Sequence, residues 1–383
     1  MKRSRGSVLV VGGGIGGLST AVALRQAEYD VTVVEIRADL HSSVAGVGII
    51  QPVNALRALD AIGCAEACLA AGYATTAWGR MLDVEGNPLR EMPGARIPGS
   101  GLPCMNGLSR PRLHHVLTDR ARETGAVLEY GKTFHSLADG PDGVAVALTD
   151  GTTRTYDHVV GADGVRSRTR PYVLAEELKP VYLGQSAFRL DIPREPEIDR
   201  IVLQHGPDGL VGYVPIGPDT AYLFLNVTWE EGRRLEQDKA AAELRERLAP
   251  FGGLTARVRD THVTDDRARD IVFRPEEWLI APAPWHRGRI VLVGDAVHAV
   301  TPHLGQGAAQ AIEDGVVLAE CLAAHDAYED AFRAYADRRH DRCALVVESS
   351  VAIGAYEMDP SAHPGFDHAG LTQRVLEEMV RPL

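Results

Sequence analysis

With 383 residues, 45% of them hydrophobic, the chain can bury two cores or one large composite core. Forty basic against fifty-two acidic side chains leave a net charge of −12, which disfavours nucleic acids and anionic membranes as partners. The five cysteines, Cys64, Cys68, Cys104, Cys321 and Cys343, are odd in number and lack metal-ligand or Cys-x-x-Cys spacing, so buried thiols in a reducing, cytoplasmic compartment are expected. The basic start, Met1-Lys2-Arg3-Ser4-Arg5, leads into an apolar run too short for a membrane span and broken by glycines, so neither a signal peptide nor a transmembrane segment is expected.

Val8-Leu9-Val10-Val11 reads as a buried strand, Gly12-Gly13-Gly14-Ile15-Gly16-Gly17 as a tight turn, and Leu18 to Leu24 as the helix that follows. In that arrangement Gly12 permits the turn, Gly14 lets a pyrophosphate approach the backbone, and Gly17 lets the helix pack on the strand. Ile15 and Gly16 open the helix, whose N-terminal amides and partial positive charge face the phosphates. The next strand, Val31 to Val34, ends at Glu35, at the spacing of a carboxylate that accepts from an adenosine ribose. The same charge repels a 2′-phosphate, so the nucleotide held here is not NADP.

Asn54 to Gly63 reads as a helix with Leu56, Leu59 and Ile62 at three-residue steps, and Gly86 to Pro103 as an irregular crossover. Ser109 is a candidate cap for a helix with Pro111 in its first turn. Strands follow at Val127–Tyr130 and Val144–Leu148, and His158-Val159-Val160 delivers Gly161-Ala162-Asp163-Gly164. From Val181 to Asp270 the pattern is mainly β, with one polar helix at Ala240–Leu248. Ile290 to Val293 is a further buried strand, leading into Gly294-Asp295-Ala296. Asp295 can accept from sugar hydroxyls, although alone Gly294-Asp295 reads equally as a helix-capping turn. Gly305 and Gly307 clear the path of a flat ring, and the helix beginning at Gln306 points its positive end there. Tyr328 to Tyr356 reads as another long helix, broken near Gly354. Three nucleotide signatures this far apart imply one long cofactor, FAD, wrapped by the start, middle and end of the chain.

On these residues the chain resembles, over nearly its whole length, the class A flavoprotein monooxygenases, the para-hydroxybenzoate hydroxylase-like single-component aromatic hydroxylases. The matching segments are Gly12–Gly17 with Glu35, Asp157–Ser167 and Gly294–His298, the second being the most diagnostic. The resemblance implies an α/β fold with a Rossmann-like FAD-binding domain (1–72, 106–178, 273–325), a sheet-based substrate domain (73–105, 179–272) and C-terminal helices (326–383). It implies that Asp163 touches FAD and a visiting nicotinamide, that Asp295 holds the ribityl region, and that Pro302, Gly305, Gln306, Gly307 and Ala308 lie beside the isoalloxazine. Arg110 falls near the flavin, Arg37 near the adenosine end, and Gly48 and Phe134 complete the expected cofactor set.

The implied reaction uses NADH or NADPH to reduce FAD, and molecular oxygen to form a flavin C4a-hydroperoxide that hydroxylates a small aromatic or heteroaromatic ring. No second strand-glycine-helix site appears, and Gly206-Pro207-Asp208-Gly209 reads as a turn, so the nicotinamide visits a groove. For catalysis His303 is the candidate base, with a surface histidine as the alternative, and Arg189 the candidate partner of a substrate carboxylate or enolate. Tyr213 is put forward beside them, and with His205, Trp78 and Phe188 as an aromatic pocket wall, although such residues are more often simply core. His114-His115 reads as structural, and no metal site is expected. A flavin reductase, a halogenase-like enzyme and a non-catalytic flavin-binding module are the alternatives, and a monomer or homodimer is expected.

Overall fold

The computed structural model describes residues 4–39, 47–207 and 209–383. The basic start Met1–Arg3 and Asp208, in the expected turn, lie outside the described residues. The continuous apolar runs of the sequence become the centre of a six-stranded sheet, because a parallel strand covered on both faces has no polar side to show. Ser7–Val11 pairs in parallel with Asp30–Glu35 on one side and with His158–Gly161 on the other. Val127–Tyr130 and Ile290–Leu292 extend the sheet, and His286–Arg287 closes one edge. Residues 8–10 are wholly buried.

The helix Ile15–Gln26 packs against Gly307–Ala324 at a distance only glycine permits, since a Cβ on Gly315 would lie 2.7 Å from the Thr20 backbone nitrogen. That contact brings the first and last nucleotide motifs side by side. A small antiparallel sheet, Phe134–Gly140, Gly143–Leu148 and Thr153–Tyr156, is inserted before the central motif.

A seven-stranded sheet runs in the order Val272–Trp278, Val181–Pro193, Thr220–Thr228, Gly209–Pro215, Ile201–Gly206, Gly79–Leu82 and Pro88–Met92. One face packs on the helices Ala240–Leu248 and Gly253–His262, and the other turns towards the nucleotide sheet. The three strands Gly48–Pro52, Met105–Ser109 and Tyr73–Thr75 bridge the two bodies.

Several expectations change in detail. Pro88–Met92 is a strand inside the expected irregular crossover, because Asp83 accepts from the Asn87 backbone nitrogen at 2.7 Å and turns the chain back. Between Val181 and Asp270, where one polar helix is expected, a second stands at Gly253–His262; Leu254 and Val258, four apart, bury its apolar side. The long helix runs unbroken over Tyr328–Met358, straight through Gly354, and a last helix spans His368–Met379. Ser109 caps Arg110–Glu123 as expected, accepting from Arg112 N. All five cysteines are free and buried, and burial pushes the Cys64 thiol up to about 12 and Cys68 to about 11. Among the described residues no helix is long and apolar enough to cross a membrane.

Candidate active site

A cleft of about 540 Å³ runs from the first glycine turn to the start of the helix Gly307–Ala324. Its walls come from Gly14, Ile15 and Gly16, from Gly48–Ile50, from Arg110, from Ala162 and Gly164, and from Gly294, Asp295, Pro302, Gly305, Gly307 and Ala308. The glycines divide the work by geometry. Gly12 has φ +107° and a Cβ there would meet Ala162 O at 2.4 Å, while a Cβ on Gly17 would meet Gly12 O at 1.9 Å. Both are packing positions, away from the cleft wall. Gly14 has open space around its missing Cβ, as close approach of a ligand to the backbone requires. A Cβ on Gly48 would lie 2.0 Å from the Tyr222 ring.

The polar groups around the turn are held firmly. Glu35 accepts from Gly13 N and from Arg37 N, each at 2.8 Å, and the Arg37 side chain is exposed. Buried His114 reaches Gly13 O at 2.8 Å, so its Nε2 donates; burial lowers its pKa, keeping the neutral ring. Asp163 folds its carboxylate back onto Ser167 Oγ at 2.5 Å, Arg168 N at 2.8 Å and Thr169 N at 2.9 Å. The cleft wall here is formed by its neighbours Ala162 and Gly164. Buried Arg170 donates to Ala296 O and Val165 O, tying the central and late motifs together.

Asp295 presents an exposed carboxylate to the cleft. The protein around it raises its pKa, opposed by Arg110 and His298. Beneath the cleft floor lies a fully buried charge network that sequence reading missed. Asp314 accepts from Gly294 N at 2.7 Å, His298 Nε2 at 2.6 Å and Arg339 Nε at 2.8 Å. Glu313 binds Arg339, Arg342 and Asn54. Its signal was an adjacent acid pair inside an otherwise apolar helix, facing arginines of the next one.

Two expected cofactor residues turn elsewhere. Gln306 is buried and holds Asn54 and Gln310 together, fixing the helix start rather than lining the cleft. Phe134 packs on Tyr172 at 5.8 Å in the core, with Arg168 over its ring.

A second, smaller cavity shares part of its wall with the cleft beside the turn Pro302–Leu304. It is lined by Ile50, Trp78, Ile201, Leu203, Leu210, Tyr222 and Phe224, with Arg189, Asn226 and His303 as its polar groups. At about 50 Å³ it is closer to a water's share of space than to a ring's, so a bound ring spans the junction with the cleft. Ile50, Arg189, Tyr222, Pro302 and Gly305 belong to both spaces. Trp78 is here as expected. Tyr213 and Phe188 are not: strand alternation turns both to the helix-covered face, and Tyr213 donates to Thr255 Oγ1 at 2.9 Å. His205 stands beside Tyr356 and His368 instead.

His303 is wholly enclosed. Nδ1 meets Thr301 Oγ1 and Nε2 meets Gln185 Oε1, each at 3.0 Å, with Glu276 and Glu357 both 3.5 Å from Nε2. Burial pulls its pKa down, but the Glu357 and Glu276 carboxylates outweigh it and the ring ends above its ordinary value. An imidazole engaged on both nitrogens and shifted towards its cationic form is a poor base for a substrate.

Comparison with known proteins places this architecture. A family model described as FAD binding domain matches residues 5–350. The chain is 35% identical over 351 residues to the aurachin C monooxygenase/isomerase of Stigmatella aurantiaca, covering 91% of this chain and 88% of that protein. It is 32% identical over 361 residues to the 6-hydroxynicotinate 3-monooxygenase of Pseudomonas fluorescens, covering 88% and 89%. The solved structure of Klebsiella pneumoniae HpxO complexed with FAD and uric acid superposes with a TM-score of 0.84 at 24% identity, covering 98% of this chain and 92% of that one.

Proposed function

The chain belongs to the FAD-binding-domain family of FAD-dependent monooxygenases, and from that premise we propose that it hydroxylates a small aromatic or heteroaromatic ring with NADH or NADPH as electron donor. The observation that carries this reading is the shared wall. The mainly apolar cavity and the long cleft share Pro302 and Gly305, so a ring placed across their junction lies against whatever occupies that end of the cleft.

The residues present suit FAD. The open backbone at Gly14 and the amides opening the helix Ile15–Gln26 fit a pyrophosphate, Glu35 and Asp295 offer carboxylates to sugar hydroxyls, and Gly305 and Gly307 leave a flat surface. When bound, FAD supplies the electron transfer from nicotinamide and the activation of oxygen. The helix Gly307–Ala324 turns its positive end to the cleft, favouring an anionic ring system there. Ile50, Trp78, Tyr222 and Phe224 exclude water and hold the substrate ring, and Arg189 stabilises negative charge on it. His303, fixed on both nitrogens, positions the turn Pro302–Leu304.

The test is NADH or NADPH oxidation with and without a panel of aromatic and heteroaromatic compounds, followed by mass spectrometry with labelled oxygen. One labelled atom in the product is expected; a flavin-bound protein yielding none across the panel would favour the non-catalytic module.

A further inference from the structure

We propose that Glu276 is the carboxylate that accepts the acidic hydrogen of the substrate, and that the substrate is a neutral, largely apolar ring carrying an N–H or O–H at the position facing it. This rests on the reading of the site given above. The Glu276 side chain is 2% exposed and borders the cleft on the strand Val272–Trp278, yet among the described residues neither carboxylate oxygen has a hydrogen-bond partner, and His303 Nε2 stands 3.5 Å off, beyond a good hydrogen bond. A buried carboxylate in that condition costs free energy that only an arriving donor removes. Among the described residues no group donates to it, because the nearest ring nitrogen, His303 Nε2, is directed at Gln185 Oε1. Asn226 Oδ1 and Glu357 Oε1, in the same cluster, also lack a hydrogen-bond partner among the described residues.

Arg189 supplies the complement. It lines both the cavity and the cleft and makes no hydrogen bond or ion pair with the described residues. Among the described residues, a cation without a hydrogen bond or ion pair and a carboxylate without a hydrogen bond thus face one space. The step they support is a proton transfer: the substrate N–H or O–H bond breaks, the proton passes to a Glu276 oxygen, and the electron pair stays on the ring system, where Arg189 stabilises it. The ring carbon becomes the nucleophile that hydroxylation requires, and the proton leaves through the open cleft with the product. The charged groups facing Glu276 are Arg189 from the strand Val181–Pro193, His303 from the turn and Glu357 from the long helix, with Tyr182 at the periphery. Burial raises the carboxyl pKa, His303 and Arg189 pull it back, and Glu357 adds to the rise, which leaves a stronger base than a free glutamate.

The experiment uses the flavin-loaded full chain with 4-hydroxyquinoline, paired with 4-methoxyquinoline and 1-methyl-4-quinolone, and with 3-hydroxypyridine, paired with 3-methoxypyridine. The free compounds are expected to be hydroxylated and the methylated ones not. Glu276→Gln, nearly isosteric, is expected to keep its FAD and its substrate Kd while kcat/KM falls by about 100-fold or more, within the span of a lost general base. The rise of kcat/KM with pH through the Glu276 ionisation should vanish in this variant, and Glu276→Asp should recover part of the rate. Turnover of Glu276→Gln within threefold of the parent with an unchanged pH profile, or equal turnover of methylated and free compounds, would overturn the proposal. Absence of labelled product from the parent protein with every compound is a separate failure that overturns the reading of the site as well.

Discussion

Asp295 and Asp314 are two acids with opposite duties. The first shows its carboxylate to the cleft, whereas the second is wrapped by Gly294 N, His298 and Arg339. Asp295→Ala is accordingly expected to leave a folded protein that elutes from gel filtration with little or no visible flavin absorbance. Full retention of colour would remove Asp295 from the proposed cofactor set. Tyr213→Phe addresses a residue whose chemistry attracted attention but whose side chain lies in a core. Its hydroxyl donates only to Thr255, so the change is expected to cost about 0.5–1.5 kcal/mol in urea unfolding and to leave turnover of the hydroxylated substrate unaltered. The register explains why it was misplaced: Arg189 opposes Phe224 and Tyr213 opposes Leu223, so Arg189, Tyr222 and Phe224 reach the cavity and Tyr213 does not. Alternation along Thr220–Thr228 carried that information, but only once the partner strands were known. Glu276 was illegible for a related reason, since Pro275-Glu276-Glu277 reads as a solvated acidic pair until the sheet turns one acid inward and leaves the other to Arg166.

Elements whose character is set by local pattern were readable from the sequence. The buried parallel strands, the capped helix Arg110–Glu123 and the polar helix Ala240–Leu248 all stand where residue spacing puts them. Elements defined by a distant partner were not, as the strand Pro88–Met92 and the continuity of Tyr328–Met358 illustrate. Gly354 looked like a helix breaker because glycine weakens isolated helices. In the fold it is a contact, since a Cβ there would come within 2.5 Å of Leu183 Cδ2 and 3.0 Å of both Gln185 Oε1 and His303 Cε1. Gly354→Ala is therefore expected to reverse the usual helix gain of about 1 kcal/mol, because overpacking costs about 1–3 kcal/mol. A melting temperature below that of the parent, with reduced hydroxylation as His303 shifts, is the outcome to look for; a rise in melting temperature would contradict the packing account.

Across the whole molecule, the charge network of His298, Glu313, Asp314 and Arg339 joins the late motif to the long helix. Arg339→Met strands two buried carboxylates and is expected to destabilise by about 3–5 kcal/mol, measured by thermal melting of the flavin-loaded protein. The network also sets the response to pH. Glu357 falls to about 2, and Glu313 and Asp314 are likewise lowered, burial being outweighed by their cationic partners. Their contribution is present above about 4.5 and is lost as pH drops towards the folded values. Glu276, raised by burial, runs against this and is outnumbered. His298 and His303 lie above 6.5, so the stability they add is complete below that value and disappears as pH rises through their folded pKa values. The melting temperature is thus expected to peak between these limits in a pH series, and a maximum on the alkaline side would refute the assignment. One consequence follows from the strand order of the six-stranded sheet. The innermost strand, Ser7–Val11, waits for a neighbour made at His158–Gly161, which waits in turn for Ile290–Leu292. No nascent polypeptide can close the nucleotide cleft until Ala308 has cleared the ribosome. Loading of the coenzyme is a late event in biogenesis, and a release product ending at Arg289 should emerge colourless.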